Sequence, residues 1–232
     1  MGKNRPVSTF PSHAAMSSSE AVAHDRMAGI TRTLRLRAVP FAGYAEPSMA
    51  RYVALLRGIN VGGKNAIPMP ALKTCFEDAG FERVRTYIQS GNVVFDAPSS
   101  SQAELTRKIE RILRTAFAHY DANVVLRSRS QMRSVVHRAP EGFGSSPSTY
   151  RHDVIFLKAP LTGRTAIKDV STKEGVDQVW AGTGVLYASR LASRASSSRL
   201  SRIVSLPIYQ QMTFRNWNTT TKLLELLDSM ER

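Results

Sequence analysis

Three polar stretches of the 232-residue chain carry residue types able to hold an anion, and none is equipped to move a proton. They are RGINVGGKN from Arg57 to Asn65, QSGN from Gln89 to Asn92, and RNWN from Arg215 to Asn218. Arginine and lysine bring positive charge, glycine-rich turns can aim successive N–H groups at an oxyanion, and side-chain amides add donors. Gly58 to Lys64 also has the G-x-x-x-x-G-K spacing of a phosphate-binding P-loop. Asn65, however, stands where a Ser or Thr hydroxyl should hold Mg²⁺, and Pro68 and Pro70 arrive where a helix should open. A P-loop NTPase is therefore set aside, while a nest of glycine amides beside Lys64 is kept. RNWN begins a helical pattern, where free N–H groups and the positive end of the helix dipole favour phosphate or carboxylate. There Arg215 could add a bidentate contact and Trp217 a stacking face, with Asn216 or Asn218 as the N-cap. The candidate ligand-binding residues are thus Arg57, Asn60, Lys64, Asn65, Gln89, Ser90, Asn92, Arg215, Asn216, Trp217 and Asn218. The competing reading gives the same side chains to turns and caps alone.

Other chemistry is thin. His119, His137 and His152 are scattered, and none lies at metal-ligand spacing with a second ligand. His152-Asp153 opens a strand pattern and reads as an edge-strand pair. There is no G-x-S-x-G elbow and no catalytic context around the single Cys75, so no catalytic residue, metal or cofactor is assigned.

The bulk numbers bound the answer. Thirty-two Lys/Arg against 18 Asp/Glu give a net charge of +14, a field that concentrates phosphates, nucleic acid or anionic metabolites. The first 48 residues hold six of those cations and three of the acids, so most of the excess lies beyond them. No apolar run approaches the roughly 18 residues of a membrane span. One cysteine excludes a disulfide framework and suits a reducing cytosol, so a cytoplasmic location is expected. The sequence carries no signal of oligomeric state.

The elements that must position the candidate residues follow in order. Residues 1–48 show no sustained period and are expected to be a disordered leader, or an extension upstream of a start at Met49. Tyr52 to Leu56 is a short buried strand. Leu72, Cys75, Phe76 and Ala79 recur at helical spacing, which puts Cys75 in the core and Gly80 at the helix end. Val84 to Gln89 and Asn92 to Phe95 read as strands around a tight Ser90-Gly91 turn. Ser101 and Glu104 form a capping box ahead of a stripe of Leu105, Ile109, Ile112, Leu113 and Ala116. Asn123 to Leu126 is a fourth strand, and Ser130 to Arg138 a short basic helix. This order, β-α-β-β-α-β, is that of a ferredoxin-like plait over residues 49–140, and its connections bring RGINVGGKN and QSGN to one end of the sheet.

A Gly/Ser loop from Glu141 to Thr149 marks a boundary to a second α+β domain, residues 150–232. It offers a strand from His152 to Lys158 and a hairpin over Gly182-Thr-Gly184. An arginine-rich run follows from Ser189 to Arg202, and a helix from about Trp217 to Leu227 ends the pattern. No internal repeat is visible in the residues. An RNA-recognition module would need aromatics on the central strands, and only Phe95 and Tyr52 are offered there.

YVALLRGINVGGKNAIPM, TYIQSGNVVF and RNWNTTTKLLEL together resemble the bacterial family called domain of unknown function 1697, over about Arg51 to Leu227. The resemblance implies a two-part α+β protein whose first part is a ferredoxin-like plait; it carries no activity with it. Where that family tends to show Gly-x-x-x-Ser-Lys-Leu, this chain has Ser197-Ser198-Arg199-Leu200, which keeps the charge but changes the donor geometry. The expectation is a binding protein for a phosphorylated or otherwise anionic small ligand, nucleotides included. The alternatives are an enzyme acting on a phosphorylated substrate, or a sequence-nonspecific nucleic-acid binder.

Overall fold

β1 (Met49–Leu56) carries the apolar run that both faces of a sheet require. Tyr52, Ala54 and Leu56 point into one core, and Val53 and Leu55 into another, the period-two alternation of a strand buried on both sides. The computed structural model describes residues 48–62 and 65–230; the readings of residues 1–47, Gly63 and Lys64 fall outside them. The chain continues through α1 (Met69–Asp78), β2 (Glu82–Tyr87), β3 (Asn92–Pro98), α2 (Gln102–Ala116), β4 (Val124–Ser128) and α3 (Arg129–His137). The first sheet has the order β2-β3-β1-β4, with every neighbouring pair antiparallel.

After the Gly/Ser loop come β5 (Tyr150–Leu157), a single helical turn α4 (Gly163–Ala166), β6 (Asp177–Gly182) and β7 (Val185–Leu191). Three 3₁₀ segments follow at Ala192–Ser197, Leu200–Ser205 and Pro207–Gln211, then β8 (Met212–Asn216) and α5 (Trp217–Ser229). The second sheet has the order β6-β7-β5-β8, again antiparallel throughout. That is the order of the first sheet repeated strand for strand. The fold is α+β with two four-stranded antiparallel sheets, and it is internally duplicated in a way the residues do not announce.

The layers follow from the three apolar clusters. α1 and α2 cover the outer face of the first sheet. The inner faces of both sheets meet α3 and α5 in a shared core built on Val53, Leu55, Val154, Phe156 and Leu223. The 3₁₀ segments and α4 cover the outer face of the second sheet.

Two departures from the sequence reading concern single residues. His152-Asp153 lies on β5, which is interior to its sheet and not an edge strand. Asp153 there takes a hydrogen bond from Arg190 at 3.2 Å. Cys75 is half-buried, packed against the first core with its Sγ 3.9 Å from the Ile112 carbonyl. Burial, with Asp78 beside it, pushes its thiol pKa above the usual value.

The halves are tied by an exchange of arginines. Arg127, fourth residue of β4, donates from Nη2 to the carbonyls of Leu157 and Gly184 in the second half, each at 2.7 Å. Arg215, fourth residue of β8, donates from Nη2 to Leu56 at 2.8 Å and to Gly91 at 3.2 Å in the first half. Leu56 and Leu157 end β1 and β5, and Gly91 and Gly184 sit in the two hairpins. Within each half the same pair is already joined, Leu56 N–H to Gly91 O and Leu157 N–H to Gly184 O. Each arginine therefore closes the same carbonyl pair in the opposite half.

Both guanidiniums are buried, at 8% and 6% exposure, and desolvation lowers each pKa to about 10, so both stay charged at neutral pH. Replacing Arg127 or Arg215 by Met strands buried carbonyls that now receive charged donors. Chemical denaturation should show each variant less stable by about 3 kcal/mol; a loss below about 1 kcal/mol would mean these bonds do not join the halves. Alkylation of Cys75 at pH 8 should run roughly tenfold slower in the native chain than in denaturant, and equal rates would contradict the raised thiol pKa.

Candidate ligand groove between the two sheets

The structure brings all three predicted stretches together, and then uses most of their polar groups itself. Asn60 adopts a positive φ of 53° and its Nδ2 donates to Ile67 O and Gln89 O, both at 3.0 Å. Its Oδ1 accepts the Ile67 N–H at 2.8 Å. Asn65 Nδ2 donates to Gly58 O at 2.9 Å. Asn92 is fully buried, donating to Tyr87 O and to Ser90 Oγ. Gly91, at a φ of +74°, lies so close to Ile59 and Leu56 that a Cβ would meet both at 2.8 Å. RGINVGGKN and QSGN are one interlocked pair of turns.

Arg215 joins them, though not as a ligand-binding residue. Its Nε donates to Asn92 Oδ1, its Nη1 to Thr213 Oγ1 and Phe214 O, and its Nη2 to Leu56, Ser90 and Gly91 carbonyls. All five N–H groups are spoken for, so the bidentate contact expected of Arg215 has no donor left. Asn92 is likewise consumed. Asn216 caps α5, accepting the Thr219 N–H at 2.7 Å. Trp217 is half-buried and packed: Phe143 stands edge-on to it with ring centroids 5.1 Å apart, and Gly144 lies against its indole with no room for a Cβ. Arg57 places its guanidinium 4.6 Å from the centroid of the Tyr209 ring, with its Nε buried and without a partner. Gln89 and Asn218 are exposed and Ser90 half-buried. Asp96 on β3 is bonded by Arg51 and Arg83.

Three well-formed cavities lie among the described residues, and the predicted residues line none of these three. Two of them adjoin. The first, of about 490 Å³, lies between α3, α4 and the β6–β7 hairpin, with Arg138, Arg164 and Tyr187 on its walls. The second, of about 570 Å³, lies between α2, the free edge of β4 and the segment after β5; Arg107, Lys158, Leu126, Leu157 and Leu161 help to line it. Ser134 and Thr183 line both, so the two lie side by side as a two-part groove between the halves.

Its charge is one-sided. Among the described residues, Arg107, Arg138 and Arg164 reach no carboxylate, and Glu110 is the one acid on the walls. Glu110 is itself committed, to the Val124 N–H at 2.9 Å and to Lys158. Burial pushes the Tyr187 phenol up to about 12, although Arg138 pulls it the other way, so it stays protonated and donates to Val135 O at 2.7 Å. The walls carry several guanidiniums and one carboxylate, which Lys158 already engages. What they can do is hold negative charge.

The duplication explains where the predicted site went. Lys158 follows β5 as Arg57 follows β1, and each N–H bonds the residue preceding the fourth strand, Gln211 O for Lys158 and Asn123 O for Arg57. Gly184 corresponds to Gly91, and Arg127 to Arg215. The groove thus opens in the second half at the place equivalent to the predicted cluster in the first. Two signals in the residues could have found it: the Gly182-Thr-Gly184 hairpin answering QSGN, and the short basic helix ending in Arg138.

The architecture is that of a two-sheet α+β protein with a basic inter-half groove. The chain belongs to the family described as "Protein of unknown function (DUF1697)", whose model matches residues 49–187; the match ends before RNWN. It is also similar to a solved structure, that of "conserved bacterial protein SP0830 from Streptococcus pneumoniae", at 27% identity and a TM-score of 0.68. That likeness covers 78% of this chain and 99% of the other. No curated protein matches it. Among the described residues, no helix is long and apolar enough to cross a membrane.

The Trp217 contact yields a direct check. Gly144 has a φ of +89° and abuts the indole, so Gly144→Ala adds backbone strain and overlap together. The variant should lose about 1–3 kcal/mol in denaturant unfolding, with a shift in tryptophan emission; wild-type stability would show that the loop is not latched there.

Proposed function

We propose that this protein binds a phosphorylated or otherwise anionic small molecule in the groove between its halves. The observation that carries this is the set of three arginines on the groove walls, Arg107, Arg138 and Arg164, without carboxylate partners. Arg129 and Arg133 are paired with Asp228, Arg190 with Asp153 and Arg51 with Asp96; other arginines among the described residues, such as Arg85 and Arg111, also lack a carboxylate but stand exposed and line none of the three cavities. Unpaired guanidiniums facing a cavity are suited to bidentate contact with phosphate or carboxylate. The loops singled out by sequence belong, in this reading, to the equivalent place in the other half, where they hold the fold together.

Binding is favoured over catalysis because the acid on the walls, Glu110, is already held by the Val124 N–H and by Lys158. It is favoured over nucleic-acid recognition because Tyr52 and Phe95, the rings an RNA-recognition sheet would display, are buried and stacked on each other at 5.9 Å. The strand order β2-β3-β1-β4 with its two intervening helices supports reading the first half as a ferredoxin-like plait, and its repetition supports two domains, 49–140 and 150–232. A cytoplasmic setting, where phosphorylated metabolites are abundant, agrees with the single half-buried thiol.

A calorimetric titration of the full chain with pyrophosphate and phosphorylated metabolites should find a binder. The double substitution Arg138→Gln with Arg164→Gln should weaken it at least tenfold without lowering the melting temperature. Binding that survives the double variant unchanged would sink the groove as the site.

A further inference from the structure

The two halves place different things beside their equivalent cations. In the first half the Tyr209 ring, reaching over from the second, covers the guanidinium of Arg57 at 4.6 Å. Tyr209 lies six residues before Arg215; six residues before Arg127 stands Asp121, which is exposed. The first half therefore supplies no ring to Lys158, and the larger cavity opens there instead. Its walls suit a ring: Ala103, Leu126, Leu157, Ala159 and Leu161 are apolar, and Arg107 lies on α2 at its rim with no hydrogen bond or ion pair. The adjoining cavity is the one that carries Arg138 and Arg164. The groove thus has a largely apolar end that carries Arg107 and a polar end with Arg138 and Arg164, Ser134 and Thr183 lining both.

On the strength of the anion-binding reading above, we infer that the ligand is an aromatic phosphate of the nucleoside monophosphate type. Its planar ring occupies the cavity beside Lys158, as the Tyr209 ring occupies the equivalent place beside Arg57. Arg107 stacks on the ring face, an arrangement that a guanidinium favours over an ammonium. The phosphate meets Arg138 and Arg164, the ribose spanning the neck between the cavities. A sugar phosphate without a ring would leave the apolar end in water and forgo that contact; a neutral nucleoside would leave the two arginines unanswered.

The test is a calorimetric titration of the full chain with the four ribonucleoside 5′-monophosphates, ribose 5-phosphate and the matching nucleosides. At least one monophosphate should bind ten or more times tighter than both ribose 5-phosphate and its own nucleoside. Ala103→Trp, at an exposed position of α2 that faces the cavity, places a ring of the protein's own in that space; it should reduce the monophosphate to the affinity of ribose 5-phosphate and leave the latter unaltered. Equal affinity of ribose 5-phosphate and every monophosphate would overturn the aromatic assignment while leaving an anion-binding groove intact. A monophosphate bound equally well by Ala103→Trp would overturn it too. Absence of binding by every phosphate tested would overturn both.

Discussion

Two buried guanidiniums, each inserted into the opposite half, are the constraint on which the rest of the molecule depends. Taking an arginine out of water costs several kcal/mol unless its donors are met. Arg127 and Arg215 meet theirs with main-chain carbonyls at the end of a strand and in a hairpin, groups that would otherwise be under-satisfied. A pair of apolar side chains could fill the same space, but it could not demand a position to within a hydrogen bond. The crossed arginines therefore fix the register of one half upon the other, and with it the shape of whatever lies between. The apolar core shared by Val53, Leu55, Val154 and Phe156 supplies the bulk of the cohesion; the arginines supply its geometry.

A duplicated fold joined in this way makes two equivalent clefts, and the chain treats them unequally. The reason is local. α2 is a 15-residue helix with a strong apolar stripe, capped by Ser101 and docked through Leu105, Ile109 and Leu113. Its counterpart is an arginine- and serine-rich run that forms only 3₁₀ segments, since small polar residues without a 3.6-residue stripe gain little from docking as a longer helix. Those segments deliver Tyr209 over Arg57 and so cover one cleft. The regular helix α2 packs on β4 through Leu105, Ile109 and Leu113, and the other cleft stays open along the free edge of β4.

Much of this was legible in the residues, but unevenly. The first sheet was, because its strands alternate two buried faces and its turns carry Gly91 and Asn60 where positive φ is needed. So was the meeting of Arg57–Asn65 with Gln89–Asn92, which follows from connection rules alone. The role of those residues was not. An arginine that binds a ligand and one that binds carbonyls of the opposite half look the same in sequence, and Arg215 proves to be the second kind. β8 was missed, since MTFRN is short and broken by polar residues whose partners lie in the other half. The repeat was missed for a related reason: what the halves share is strand order and a handful of carbonyl contacts, and backbone carbonyls leave no trace in side-chain identity. Arg107, Arg138 and Arg164 come from separate helices, so nothing in their spacing ties them to one site.

The charge balance is what separates the arginines that build from those that bind. A guanidinium committed to structure is buried against carbonyls, as in Arg127 and Arg215, or held to an acid, as in Arg51 with Asp96. Exposed ion pairs, such as those of Arg129 and Arg133 with Asp228, add little stability, yet they cancel charge locally. Between Asp177 and Glu225 the chain has no carboxylate, and on the groove the one acid, Glu110, is turned toward Lys158 and the edge of β4. A cluster of cations left uncancelled repels itself at a cost to the folded state. A surface that served only solubility could spread such charge or pair it; concentrating it on the walls of a cavity between two rigid sheets lowers the free energy only when an anion arrives, and that is the physical case for reading the groove as a site.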